Sequence, residues 1–133
     1  MFLDTSGLLC LIHVREKQHE KAVSSYDAAT TPRLTHSYVL DEFIALALAR
    51  KLSREAALDF SERLIDDANI ETVWVDEMRH REALALLRER PDKGYSLCDA
   101  VSFGLMRERG ITEALTTDRH FEQEGLFDCS FHR

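Results

Sequence analysis

The sequence predicts an α/β fold, a three-layer α/β/α sandwich built on a central parallel sheet of about five strands. Three observations predict it. Short runs of apolar and β-branched residues alternate with longer stretches of helical periodicity. Turn formers fall between these stretches, with Thr30, Thr31 and Pro32 at one break and Pro91 and Gly110 closing two helices. Only two Pro and five Gly occur, and no repeat or low-complexity tract leaves room for a linker. Alternation of this kind requires right-handed crossovers, which place helices on both faces of a parallel sheet. At 133 residues the chain has the size of one compact domain, expected to span 1–133.

Met1 to Asp4 begins as a short apolar strand, and a helix follows from Thr5 through Leu8, Leu9 and Ile12. A second, charged helix is expected from Glu16 to Ala29. Arg33 to His36 reads as a brief strand, with Ser37 as N-cap of a helix from Tyr38 to Arg50. That helix is apolar on nearly every side and is expected to be buried, which would set Glu42 in an apolar environment. Ser53 caps a further helix to about Asp67. Ile70 to Val75 alternates like a strand, expected to be central, and Glu77 to Arg90 is an amphipathic helix stopped by Pro91. After a loop over Asp92 to Tyr95, Ser96 begins a helix that Gly110 terminates. Glu113 to Thr117 is a strand, Asp118 to Glu124 a short helix or turn, and Phe127 to Phe131 a last strand.

Composition narrows the function. Apolar residues make up 44% and charged residues 31%, a globular balance. The longest apolar run, Phe43 to Ala49, is far below the roughly 20 residues that span a bilayer. No basic leader precedes the first strand, so a cytoplasmic protein without membrane attachment is expected. Cys10, Cys98 and Cys129 show no CxxC spacing and read as reduced, packing thiols. The six histidines show no zinc-ligand spacing and read as surface or internally satisfied side chains. Seventeen basic against 24 acidic residues give a net charge of −7, unlike a basic nucleic-acid binder. A polyanion would have to be held locally, and bound divalent cations would offset part of the excess.

Topology brings the chemistry together. Asp4 ends the first strand and Asp118 follows the strand over Glu113 to Thr117, so both belong at the carboxyl edge of the sheet. Glu42 lies in the first turns of the helix leaving the second strand, and Asp99 opens a helix running back down the sheet. Both therefore start at that same edge, where α/β folds bind ligands. Taken singly, Asp4 and Asp118 have a capping explanation, and Ser96 with Asp99 fits a capping box. Taken jointly, four acids on one edge repel one another strongly enough to require protonation or a cation. A hard cation, Mg²⁺ or Mn²⁺, suits carboxylate and water oxygens and would support phosphodiester hydrolysis. The hydroxyls of Thr5, Ser6, Thr116 and Thr117 flank the acids as orienting groups or as caps. A haloacid-dehalogenase phosphatase would need a second Asp where Ser6 stands, and a dinucleotide site would need GxGxxG, which is absent.

With these residues laid out, the chain resembles the PIN-domain nucleases, in particular the small VapC-like toxins of toxin–antitoxin pairs. The likeness covers essentially the whole chain and rests on FLDTSGLL at the start, LDEF around Glu42, SLCDAVSF around Asp99 and LTTDRHF around Asp118. The resemblance implies that Asp4, Glu42, Asp99 and Asp118 are the metal-site acids, with Ser6 and Thr116 as supporting polar groups. It implies a metal-dependent endoribonuclease leaving 5′-phosphate and 3′-hydroxyl ends, a homodimer, and an antitoxin whose C-terminal segment lies across the acidic groove. Arg33, Lys93 and Arg119 are the expected RNA contacts. The non-enzymatic alternative is a catalytically silent PIN-like scaffold that binds a protein or RNA partner.

Overall fold

A computed structural model describes residues 1–126 of the chain. The expected last strand over Phe127 to Phe131, and Cys129 within it, lie outside the described residues. Phe2 and Leu3 form β1 (Phe2–Leu3), completely buried, and the chain turns at Asp4 into α1 (Thr5–Ile12). A turned segment then leads into α2 (His19–Ala28), which starts three residues after Glu16, the expected first residue. β2 (Arg33–His36) follows, and then α3 (Ser37–Ala49), α4 (Arg54–Asp66) and β3 (Ile70–Val73). The second half holds α5 (Glu77–Glu89), α6 (Leu97–Arg109), β4 (Ala114–Leu115) and α7 (His120–Gln123).

The described strands form a four-stranded sheet in the order β3-β2-β1-β4, and every pair is parallel. From β1 the chain steps twice in one direction, to β2 and then β3, before returning across the sheet to β4. Right-handed crossovers therefore put α1 to α4 on one face and α5 and α6 on the other. The helix contacts agree: α1 packs on α2 and α3, and α3 on α4, while α5 packs on α6 and α6 on α7. Phe2, Leu3, Phe43, Phe103, Leu115 and Phe121 fill the interior with no exposed surface to speak of. Each such side chain contributes about 1.5–3 kcal/mol through its removal from water.

β3 is the edge of the described sheet and not a central strand. The reason lies in its alternation, since Glu71 faces solvent and pairs with Arg109 at 2.7 Å. Inner parallel strands are covered on both faces, as β1 and the Leu34 to His36 part of β2 are. The α3 helix is also less enclosed than expected. It buries Val39, Leu40, Phe43 and Ala47, but Asp41, Glu42, Ala45 and Leu48 face outward. Its cap is His36, whose Nδ1 accepts from the Val39 N–H, whereas Ser37 Oγ accepts from the Val75 N–H at 2.9 Å and ties the exit of β3 to the start of α3.

Two devices fix the helices that carry the acids. Gly7 lets α1 lie directly on β4, because a Cβ there would stand 1.9 Å from the Leu115 carbonyl oxygen. His36, fully buried, bridges α3 and α6: with Nδ1 accepting from Val39, Nε2 donates to Ser102 Oγ at 2.8 Å, and that hydroxyl donates to the Cys98 carbonyl at 2.9 Å. Burial pushes the His36 pKa down to about 3, so the bridge is neutral.

Candidate metal centre

Strand order reverses between β1 and β4, and that is where a parallel α/β sheet opens a crevice beyond the carboxyl ends of its strands. Asp4 leaves β1 and Asp118 follows β4 at this point. The N-termini of α3 and α6 add Glu42 and Asp99. All four carboxylates line one cleft of about 580 Å³, together with Thr5, Ser6, Ala45, Leu46, Gly94, Ser96 and His120.

Asp4 precedes α1, yet its side chain caps nothing. It accepts instead from Thr116 Oγ1 at 2.7 Å and from Ser6 Oγ at 3.3 Å. The two hydroxyls lie 3.2 Å apart, and each takes one more bond: Ser6 Oγ from the Thr117 N–H, Thr116 Oγ1 from the Asp118 N–H, both at 2.9 Å. Ser6 and Thr116 thus lock the ends of β1 and β4 together, and Thr117 adds only its backbone. On the other side Thr5 Oγ1 donates to Glu42 Oε1 at 3.2 Å. Glu42 is exposed, not enclosed by apolar neighbours as expected, because it lies on the outward face of α3.

Asp99 combines both readings the sequence offers. It completes the capping box, with Ser96 Oγ accepting from the Asp99 N–H at 3.0 Å and Asp99 Oδ2 accepting from the Ser96 N–H at 3.1 Å. It also lines the cleft. Asp118 Oδ1 accepts from the His120 N–H at 2.9 Å.

Electrostatically the cleft is under tension. Asp4 is pushed up to about 7, chiefly by burial and further by Asp99 and Asp118, against the downward pull of the Thr116 hydroxyl. The Asp99 pKa is also raised, first by burial and then by Asp118, although Ser96 and His120 oppose the rise. Cys98, buried behind the acids, has its thiol pushed far up by burial and by the carboxylates of Glu42, Asp4 and Asp99, which makes it an inert packing group. Cys10 is likewise buried and raised to about 11, mainly by burial.

Two expectations about charge and ligands change. Arg33 starts β2, at the amino edge of the sheet, opposite the acids. Its guanidinium stacks 4.4 Å from the Tyr26 ring and donates to the Tyr26 carbonyl at 2.6 Å, so it is a structural clamp. Lys93 and Arg119 do not line the cleft themselves but are the chain neighbours of Gly94 and Asp118, which do. The residue missed from sequence is His120. Its Nδ1 lies 3.0 Å from Asp99 Oδ2 and 3.2 Å from Asp118 Oδ1. Spacing alone could not reveal it, because one of its two partners, Asp99, comes from a helix 21 residues earlier. Its place two residues after the last acid was the available signal.

Comparison with known proteins agrees with the fold. The family model described as the PIN domain matches residues 1–124. The 23S rRNA-specific endonuclease VapC20 of Mycobacterium tuberculosis, in two strains, is 28% identical over 128 residues, which cover 96% of each chain. The crystal structure of that organism's VapC20, described as a sarcin–ricin loop cleaving toxin, superposes with a TM-score of 0.88 at 24% identity over 96% of each chain.

Proposed function

We propose, from the premise that this chain belongs to the PIN domain family, that it is a metal-dependent endoribonuclease and the toxin of a toxin–antitoxin pair. The convergence of Asp4, Glu42, Asp99 and Asp118 on one cleft carries this reading. Four oxygen donors, with Asp4 and Asp99 raised by burial and mutual repulsion, fit a hard divalent cation such as Mg²⁺ or Mn²⁺. When bound, such an ion supplies Lewis-acid polarisation of the scissile phosphate and offsets the charge that develops on it.

The chain's own groups do the rest. Ser6 and Thr116 hold Asp4 in one orientation, and Thr5 does the same for Glu42, so the carboxylates need no reorganisation when substrate arrives. Glu42, exposed at the mouth of the cleft, is placed to orient an attacking water. Water attacking phosphorus with the 3′-oxygen as leaving group gives a 5′-phosphate and a 3′-hydroxyl. Lys93 and Arg119 contact the RNA backbone on either side, which supplies a local positive charge on a chain of net −7. The same acidic cleft complements a basic antitoxin segment. The active form is a homodimer, to be read by light scattering.

The relative's name directs the first choice of substrate to ribosomal RNA, 23S rRNA and its sarcin–ricin stem-loop in particular. The expected result is cleavage with Mg²⁺ or Mn²⁺, none with EDTA, and none by Asp99→Asn of unchanged circular dichroism. Undiminished cleavage by Asp4→Asn and Asp99→Asn, or no RNA cleavage at any Mn²⁺ concentration, would overturn the reading.

A further inference from the structure

Among the described residues that line the cleft, His120 alone brings a side-chain nitrogen. One ligand atom each from Asp99, Asp118 and His120 lies within 4.8 Å of the others. The separations of Nδ1 from the two carboxylate oxygens, 3.0 and 3.2 Å, are those of neighbouring ligands on an octahedral ion. Bonds of about 2.1 Å at right angles put adjacent donors about 3.0 Å apart. The same distances suit an N–H···O hydrogen bond, so length alone does not choose between the two.

The setting of the ring favours ligation. The imidazole packs edge-on against Tyr95 at 5.3 Å, and buried Tyr95 packs in turn against Phe103 at 5.0 Å. The backbone N–H of His120 is bound by Asp118, and the next residue, Phe121, is wholly buried. The Nε2 side lies over Gly94, where a Cβ would stand 4.0 Å away. Every one of these contacts aims Nδ1 into the notch between Asp99 and Asp118. This packing holds the ring in one orientation, so Nδ1 stands ready beside both carboxylates.

We infer that His120 Nδ1 is a direct ligand of the divalent ion, and that this nitrogen shifts the site's preference from Mg²⁺ toward Mn²⁺ and the later first-row ions. The inference rests on the metal-site reading above and deepens it. Carboxylates suit Mg²⁺ and Mn²⁺ alike, while an imidazole adds affinity along the series from Mn²⁺ through Co²⁺ to Ni²⁺ and little for Mg²⁺.

The test needs no RNA. Calorimetric titration of the full chain with MgCl₂, MnCl₂ and CoCl₂ is compared between wild type and His120→Asn, whose side chain offers an oxygen in place of Nδ1. The variant should lose at least about tenfold in Mn²⁺ affinity and more for Co²⁺, while Mg²⁺ affinity changes by less than about threefold. Electron spin echo spectroscopy of the Mn²⁺-loaded wild type should show coupling to a directly bound ¹⁴N that the variant lacks, and this readout does not depend on the variant's folding. Equal weakening for all three ions, or bound Mn²⁺ without nitrogen coupling, overturns the inference and leaves the metal site standing. Failure of the wild type to bind any of the ions overturns both.

Discussion

Asp4→Asn exchanges a carboxylate for a neutral isostere at the most enclosed position of the cleft. In the folded protein Asp4 has a pKa of about 7, against about 4 in an unfolded chain. Between those pH values the folded state holds a proton that the unfolded state has released. Metal-free stability therefore falls as pH rises from about 4 to about 7, and levels off above. At about 1.36 kcal/mol per pH unit the gap amounts to ~4 kcal/mol at pH 8 as an upper bound. Asparagine removes that cost and keeps a carbonyl oxygen for the Thr116 hydroxyl. The variant should thus be more stable than the wild type at pH 8, by on the order of 2–4 kcal/mol, and nearly equal to it at pH 4. His36 acts in the opposite sense, since its lowered pKa makes stability fall as pH drops below its ordinary value of about 6.5. That contribution is common to both proteins and cancels in the difference. Urea denaturation in EDTA at several pH values measures it, and added Mn²⁺ should reverse the order by binding the folded wild type. A difference independent of pH, or a variant less stable at pH 8 without metal, would refute the electrostatic reasoning.

Gly7→Ala should be among the most damaging single changes, because its methyl would overlap the Leu115 carbonyl at 1.9 Å; Gly104→Ala, with nothing within 4 Å, should be neutral or stabilising by up to about 1 kcal/mol from helix propensity. Thermal melts of the two read this contrast directly, and equal melting temperatures would count against the helix–strand approach described. Thr116→Val removes the hydroxyl that lowers the Asp4 pKa and leaves the Asp118 N–H without its acceptor, at a cost of about 1–3 kcal/mol. Protons should then compete better with the metal, so calorimetry should find Mn²⁺ binding lost at a higher pH than in the wild type.

Much of the fold was legible because it is written locally. Alternating apolar runs, the Ser53 and Ser96 caps and the Gly110 stop, with φ of 65°, are decided by neighbouring residues. The meeting of Asp4, Glu42, Asp99 and Asp118 was legible too, since parallel topology sends every strand exit to one edge. What stayed hidden is non-local. Strand order decided that β3 is an edge of the described sheet, and no window of residues around Ile70 contains that information. The outward face of α3 carries Ala45 and Leu48 as well as Glu42, so its pattern did not show which side meets water. Arg33 was misplaced by one strand length, the distance between the two ends of β2. His120 escaped because its partner Asp99 sits on another helix.

The bond from Thr116 to Asp4 joins residues 112 positions apart. During translation the amino-terminal half emerges with Asp4 and Glu42 but without β4, Asp99 or Asp118, and so with half of its acids. An unfinished or prematurely released polypeptide has no such cleft. The polypeptide therefore gains its full acidic cleft only when β4 pairs beside β1, late in synthesis.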